Sequence, residues 1–474
     1  MKFIALNKKI QKKVRDILSK QPKVAHIIET IDRAGGKALL VGGAVRDILL
    51  GLPVKDLDVE VHQLTLAQLE SILKKYGAVS LVGKSYGVLR VHGLAMDWSV
   101  PRTEGAGRKP KVSIDPFMSM KEAFRRRDLT INAMGIDLVS FELIDPFKGL
   151  QDLEKGILRA CDEKKFLEDP LRFFRVMQFI ARFNMHPNKK LNDVCKKMSV
   201  KKVSVERIDE ELRKLFLTSK KPSQAFVWLK KIGRLRDIFP ELYNLIGVQQ
   251  NPDWHPEGDV FEHTMQSIDA AAQLSYENDG QRLLILYAAL CHDLGKVEVT
   301  EEEEGKLVSR GHSEAGIPLT KKLLRRITRN KELVDSVCTL IKHHMMPGQL
   351  AAANAKLPAY KRLARKLAPI TLQELALLAL ADKRGRNPKK GAPLRKSFED
   401  IDLFLKKADE AQVLTAVEKP LLQGRDLLDV IKPGPQMGQM LMEAYELQLE
   451  KGIRDKKVLK QQILKKFRVR KKRD

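Results

Sequence analysis

Apolar positions follow two rhythms along this chain, and the change between them divides it. Up to about residue 160, short alternating or continuous apolar runs punctuated by Gly and Pro predict strands: Ala38–Val41, Leu57–Val61, Gly87–Val91, Leu94–Val100 and Met134–Leu138. Helical segments lie between them, so this part is expected to be α+β. From Cys161 onward the β signal fades and apolar residues recur at helical spacing. Leu171–Arg182, Arg207–Leu217, Ser223–Ile232, Gln281–Leu290 and Gln373–Ala381 predict helices. Ser204 is the expected N-cap of the second, with Glu206 in its first turn. Pro- and Gly-containing stretches at Gly247–Gly258 and Arg384–Pro393 mark boundaries, the latter an exposed linker, and no internal repeat is present.

Composition narrows the partners. The 474 residues carry 87 Lys and Arg against 60 Asp and Glu, a formal charge of +27. That excess predicts a polyanionic partner. Nucleic acid is favoured over membrane, because no segment approaches the ~20 apolar residues of a spanning helix. The apolar run Phe3–Leu6 is too short for a signal peptide, and Cys161, Cys195, Cys291 and Cys338 lie far apart without a CxxC pattern. Reduced cysteines and a cytoplasmic location are the expectation. The end of the chain, Lys465 to Arg473, is a basic tail suited to a phosphate backbone.

The chemistry concentrates first in residues 42–58. Gly42-Gly43 ends an apolar run and opens an amphipathic helix, a turn whose free N–H groups suit phosphate. Asp56 and Asp58 follow at i and i+2 of an alternating run, so their carboxylates should converge on one face. Convergent carboxylates beside a phosphate cradle suit Mg²⁺ in phosphoryl or nucleotidyl transfer. Asp97, on the next strand-like run, is a candidate third acid. Arg125-Arg126-Arg127 suit triphosphate contacts, with Asp128 placed to fix one of them. Asp169, Arg172 and Arg175 share one side of the first strong helix, behind Pro170 in its first turn. A carboxylate accepts from an exocyclic amine and an arginine donates to ring acceptors. Such a pair selects cytosine and adenine without a nucleic-acid template.

With these motifs in this order, the chain resembles the class II tRNA nucleotidyltransferases and their relatives, the bacterial poly(A) polymerases. The resemblance rests on Gly42-Gly43 with Arg46, Asp56-x-Asp58, Arg126-Arg127-Asp128, Glu168-Asp169-x-x-Arg172 and the hinge-like Asp145-Pro-Phe-Lys-Gly-Leu-Gln-Asp-Leu153, and covers about the first 250 residues. It implies a nucleotidyltransferase head of the DNA polymerase beta superfamily with a mixed sheet, followed by an all-helical neck, body and tail. By this resemblance Asp56 and Asp58 hold Mg²⁺, Gly43, Arg46 and Arg127 contact the triphosphate, and Asp169, Arg172 and Arg175 form the template for CTP and ATP. Gln178 departs from the pattern, since many members carry another arginine there.

A second signal lies further on. Six of the ten histidines (His255, His263, His292, His312, His343 and His344) fall within one stretch, with His292-Asp293 adjacent and Asp382 beyond. Imidazoles and carboxylates on several helices can hold a divalent ion and activate water. The series, with Asp253-Trp254-His255-Pro256-Glu257 before it, Ala381–Arg386 after it and the segment Leu421–Gly438, resembles the HD phosphohydrolase domain fused to some bacterial CCA-adding enzymes. That resemblance makes His263, His292, Asp293 and Asp382 ligands of a second divalent metal.

The expected organisation is thus a head over residues 1–160, a neck over 161–248, an HD-type domain over 249–386 and a tail over 387–474. The expected activity is addition or repair of the 3′-terminal CCA of tRNA from CTP and ATP, with no membrane and no obligate protein partner. An A-adding enzyme, a poly(A) polymerase, a chain whose main activity is the HD phosphohydrolase, and a non-catalytic RNA-binding protein are the alternatives.

Overall fold

Each predicted strand and helix forms, with ends shifted by a few residues. The computed structural model describes residues 3–54, 56–82, 87–104, 112–387 and 395–467. Residues 388–393 of the expected linker and 468–473 of the basic tail lie outside them. Two contact units result: Met1–Ser219 with Gln224–Arg234, and Lys220–Ser223 with Leu235–Asp474.

The first unit is built on strands β1 (Phe3–Ala5), β2 (Lys37–Val41), β3 (Asp58–His62), β4 (Val79–Val82), β5 (Val88–Val91), β6 (Asp97–Ser99), β7 (Arg102–Glu104), β8 (Val112–Ile114), β9 (Gly135–Asp137) and β10 (Glu142–Ile144). Eight of them form one sheet in the order β1-β10-β9-β2-β3-β6-β5-β4, and β7 pairs with β8 alone. The sheet is mixed: β3 and β6 run parallel while β2 lies antiparallel to both β3 and β9. Register carries the chemistry, because Asp58 faces Val41 on one side and Asp97 on the other. Behind the sheet Leu39, Val41, Ala123, Phe124, Ala133 and Ile144 form a continuous core.

Helical residues of this unit pack by the predicted periodicity. The helix Leu171–Phe183 buries Phe173, Phe174, Val176, Met177, Phe179 and Ile180, and the helix Val205–Thr218 follows Ser204. Ser204 stands at the N-cap as expected, but its side chain makes no capping bond. Phe173 meets Trp228 at 5.4 Å between ring centroids, and Trp228 donates to Asn192 Oδ1 at 2.8 Å. The buried guanidinium of Arg234 donates to the carbonyls of Cys195, Lys196 and Met198, at the C-terminal end of the helix Lys189–Lys197. This satisfies carbonyls that helix geometry leaves open.

In the second unit, the helix Asp279–Cys291 is buried almost all round, and every residue from Leu283 to Cys291 is inside. A helix apolar on all faces sits at the centre of a bundle. Around it stand the helices Val260–Ala271, His312–Ile327, Lys331–His343 and Leu372–Arg384. Leu427, Met440, Ala444, Leu459 and Ile463 form a separate small core nearer the end of the chain. No helix among the described residues is long and apolar enough to cross a membrane. The four cysteines are free thiols, three of them buried, and burial pushes Cys195 up to about 12.

Asp269 on the helix Val260–Ala271 receives Ser223 N–H at 2.9 Å and Ser223 Oγ–H at 2.7 Å. Burial nevertheless raises its carboxyl to about 6, against the pull of those two bonds. Because the folded value lies above the unfolded one, this residue's contribution to stability is intact near pH 4 and is lost as pH rises past 6. Asp269→Asn should remove that dependence. Urea unfolding at pH 4 and pH 7.5 should show the variant gaining up to about 3 kcal/mol on the native chain over that interval.

Candidate functional site

Gly42 begins the construction of the head site. Its φ of +74° is open to glycine and strained for other residues. A Cβ there would also stand 3.0 Å from Arg127 Nη1 and 3.8 Å from Asp58 Oδ2. The turn, the carboxylate and the arginine therefore meet at one point of backbone. Asp56 precedes β3 in irregular backbone and is exposed, so the pair does not sit on a single strand as the alternation suggested. Asp58 opens β3 directly beside Asp97 on β6. Its carboxyl is raised from its ordinary value, by the surrounding protein first and then by the like charges of Asp97 and Asp56, although Arg127 pulls the other way. Carboxylates that repel in this way are short of a cation, and the donor set fits a divalent ion. Asp97 is itself clamped by Arg90, with Nε–Oδ1 at 2.6 Å and Nη2–Oδ2 at 2.7 Å.

The arginines are placed by buried carboxylates. Glu60, fully buried on β3, accepts Arg126 Nη2 at 2.9 Å and lies 3.8 Å from Arg127 Nη2. Burial alone would raise Glu60, but His62 at 3.2 Å and the two guanidinium groups outweigh it and hold it at about 2. Sequence reasoning missed Glu60, although Asp58, Glu60 and His62 continue the charged side of the same alternation. Asp128 acts on Arg127 through its charge, while its observed side-chain bonds go beyond the arginine triplet. It accepts Asn132 Nδ2 at 3.0 Å and Arg175 Nε at 2.6 Å, and stays well below the usual carboxylate range; burial works against this and Arg175 prevails.

Arg46 turns inward and is buried beneath the turn. The helix Gly43–Leu49 is buried from Ala44 to Ile48 and has no polar face. Arg46 donates to Asp47 Oδ1 at 2.9 Å and Asn132 Oδ1 at 2.6 Å, with its guanidinium over the rings of Phe179 and Phe183. It lies under Gly43, whose Cβ would come within 3.3 Å of Arg46 Nη2.

Arg172 and Arg175 share one helix, Asp169 stands two residues before it, and the three do not bond to one another through their side chains in the interactions observed. Asp169 Oδ2 accepts Arg207 Nη2 at 2.8 Å. Arg172 donates to the carbonyls of Lys165 at 2.7 Å and Arg126 at 2.5 Å. Arg175 is held by Asp128 and lies 3.8 Å from Glu211. Arg207 and Glu211 carried no motif; their helical neighbourhood was the only signal. Gln178 is buried, and its amide nitrogen has no hydrogen-bond partner.

The second cluster lies wholly in the second unit. His292-Asp293 leaves the C-terminal end of the buried central helix. His263 comes from the helix Val260–Ala271, Asp382 from Leu372–Arg384, His312 opens its helix and His344 follows another. Gly295 pins the turn, for a Cβ there would stand 2.1 Å from the carbonyl oxygen of His312. His263 Nε2 lies 3.1 Å from His292 Nε2, 3.1 Å from Asp382 Oδ1 and 3.5 Å from Asp293 Oδ2. The opposite nitrogens are occupied: His263 Nδ1 faces Glu257 at 2.6 Å and His292 Nδ1 faces the Ala289 carbonyl at 2.8 Å. Such partners accept a hydrogen bond from Nδ1–H and leave the Nε2 lone pairs pointing inward. Two lone pairs 3.1 Å apart repel unless a proton or a cation lies between, so these residues fit a metal. Glu257 is kept at about 2 by His255 and His263 in spite of its burial. Lys296 approaches Asp293 Oδ2 at 2.7 Å and Arg386 approaches Asp382 at 2.9 Å.

Fold and site together define a nucleotidyltransferase-type head on a chain that also carries a helical His/Asp metal region. Comparison with known proteins agrees. The poly A polymerase head domain family matches residues 38–159, the probable RNA- and SrmB-binding site of polymerase A matches 186–245, and the HD domain matches 260–387. The "Multifunctional CCA protein" of Mannheimia succiniciproducens is 34% identical over 73% of this chain and 84% of its own length. That of Stenotrophomonas maltophilia is 33% identical over 86% of this chain and 98% of its own. Among solved structures, the Bacillus stearothermophilus CCA-adding enzyme in complex with CTP shares the fold with a TM-score of 0.65 at 20% identity, over 94% of this chain and 96% of its own. The Thermotoga maritima CCA-adding enzyme complexed with tRNA shares it with a TM-score of 0.60 at 18% identity, over 98% and 100%. The chain belongs to the family of multifunctional CCA proteins.

Glu60 offers a direct test of how the arginines are placed. Glu60→Gln leaves two guanidinium groups facing a neutral buried amide, which should destabilise the head by roughly 3 kcal/mol. Nucleotide addition should fall further than stability alone explains. Chemical denaturation and kinetics below the unfolding transition separate the two effects.

Proposed function

We propose that the chain is a template-independent CTP(ATP):tRNA nucleotidyltransferase that adds or repairs the 3′-terminal CCA. The observation that carries this is the meeting of Asp58 and Arg127 at the Gly42 turn, in a chain of the multifunctional CCA protein family. The 3′-hydroxyl of tRNA attacks the α-phosphate of the bound nucleotide and pyrophosphate leaves. Mg²⁺ held by Asp56 and Asp58 would supply charge stabilisation at the attacked phosphate and its leaving group. Gly43 lets the triphosphate approach the backbone, Arg127 neutralises it, and Arg46 braces the turn from beneath. Asp169 and Arg172 read the amine and acceptor edge that cytosine and adenine share, and Arg175 keeps that helix fixed to Asp128. Residues 1–160 act as head, 161–248 as neck, 249–386 as HD region and 387–474 as tail. The +27 charge suits grip on the tRNA backbone by shape and phosphate, in the cytoplasm.

The His/Asp cluster supports a second activity in the same chain, metal-dependent phosphohydrolysis, with His263, His292, Asp293 and Asp382 holding the ion.

Transcripts of tRNA ending before CCA, after C and after CC, incubated with Mg²⁺ and CTP, ATP or both, should gain two, one and no residues from CTP alone and three, two and one with both, each stopping at the completed CCA. Extension only of the CC-ending transcript would make this an A-adding enzyme, and a long ladder from ATP alone a poly(A) polymerase. Asp56→Asn with Asp58→Asn should lower the rate by roughly a thousandfold with the chain still folded; unchanged extension would remove both carboxylates from the mechanism. Arg207→Ala frees Asp169 and should reduce kcat/KM for CTP and ATP about tenfold, while raising the share of UTP misincorporated.

A further inference from the structure

The buried pairs of the head join into one chain of bonds at Asn132. Arg46 Nη1 donates to Asn132 Oδ1 at 2.6 Å, and Asn132 Nδ2 donates to Asp128 Oδ1 at 3.0 Å. Asp128 Oδ2 in turn accepts Arg175 Nε at 2.6 Å. Arg46, Asn132 and Asp128 are all buried. At one end Arg46 lies beneath Gly43, where a Cβ would stand 3.3 Å from Arg46 Nη2. At the other end Arg175 belongs to the helix Leu171–Phe183, which also carries Arg172.

The middle link is chemically restrictive. Arg46 needs an acceptor and the ionised Asp128 needs a donor, and a carboxamide supplies one of each from a single short side chain. Turned over, the same amide would set its NH2 against a guanidinium and its oxygen against a carboxylate. Its neighbours therefore fix its orientation. An aspartate at this position would still accept from Arg46 but would face Asp128 with a second carboxylate. An alanine would make neither bond.

Arg46 meets the same helix by two further routes. Its guanidinium carbon lies 5.3 Å from the ring centroid of Phe179 and 4.6 Å from that of Phe183. Asp47, which accepts Arg46 Nε at 2.9 Å, also lies 3.6 Å from Arg182 Nη2. A ligand seated on the turn thus bears on this helix through close-packed, hydrogen-bonded contacts that have little room to give. We propose that Asn132 is a positioning residue for nucleotide selection, keeping Asp128, Arg175 and the base-reading helix in register with the turn that seats the triphosphate. This rests on the reading of Gly43 as the triphosphate turn and of Asp169 and Arg172 as base readers.

Steady-state kinetics of the full chain test it. The substrate is a tRNA transcript ending before CCA, with CTP or UTP as the nucleotide and pyrophosphate as the inhibitor. The native chain should prefer CTP; equal use of UTP would overturn the base-reading assignment and the proposal with it. Asn132→Asp keeps the Arg46 contact, so inhibition by pyrophosphate should stay within about twofold while the CTP-over-UTP ratio of kcat/KM falls about tenfold. In Asn132→Ala both quantities should worsen, with the far-UV circular dichroism of the native chain as the check on folding. A CTP-over-UTP ratio that stays at the native value in both variants would overturn the proposal and leave the base-reading assignment standing. Where a variant fails to fold, the native chain decides. Pyrophosphate with Mg²⁺ should slow amide hydrogen exchange across Leu171–Phe183, and unchanged exchange there would overturn the coupling.

Discussion

A charged group taken out of water must find an opposite charge, and the head is organised around that requirement. Glu60 lies fully inside the sheet with no solvent to stabilise it, so it draws Arg126 and Arg127 onto itself. Arg127 is thereby fixed against Gly42 and next to Asp58. Asp128 does the same for Arg175 and so fastens the helix that carries Arg172, with Asp169 just before its start, to the segment just after the arginine triplet. Without those two buried carboxylates, the same arginines would lose the opposite charges that set their positions.

The second unit answers the opposite requirement. There the problem is an excess of acceptors: imidazole nitrogens and carboxylates face one another inside a bundle built on a buried central helix. Backbone carbonyls and Glu257 accept hydrogen bonds from Nδ1–H, so what remains is a set of Nε2 lone pairs. Such an arrangement is costly while empty and is suited to cations. Both units thus store unbalanced charge where a divalent ion would be used, one through carboxylates that suit Mg²⁺ and the other through nitrogen-rich ligands that suit softer metals.

The two chemistries are complementary in kind. On the proposed reading, the head builds phosphodiester bonds at an RNA 3′ end, and the His/Asp region has the donor set to hydrolyse phosphate esters. A strongly basic chain with both sites would bring the proposed bond formation and phosphate removal to the same class of polyanion.

Much of this was legible in the sequence. Periodicity located the strands Lys37–Val41, Asp58–His62 and Gly135–Asp137 and the helices Leu171–Phe183 and Asp279–Cys291, because alternation and helical spacing follow from backbone geometry alone. Short motifs marked Asp56, Asp58, Asp169, His263, His292, Asp293 and Asp382, since chemistry demands particular side chains at local spacing. Tertiary structure decided the partners. Glu60 beneath two arginines, Asp128 on Arg175, Arg46 turned to Asn132, Arg207 on Asp169, and His312 with His344 beside Asp293 all join residues distant in sequence. A linear pattern records which face a residue takes within its own element. Which residue meets it across the core depends on how sheet and helices pack, and only the folded chain fixes that.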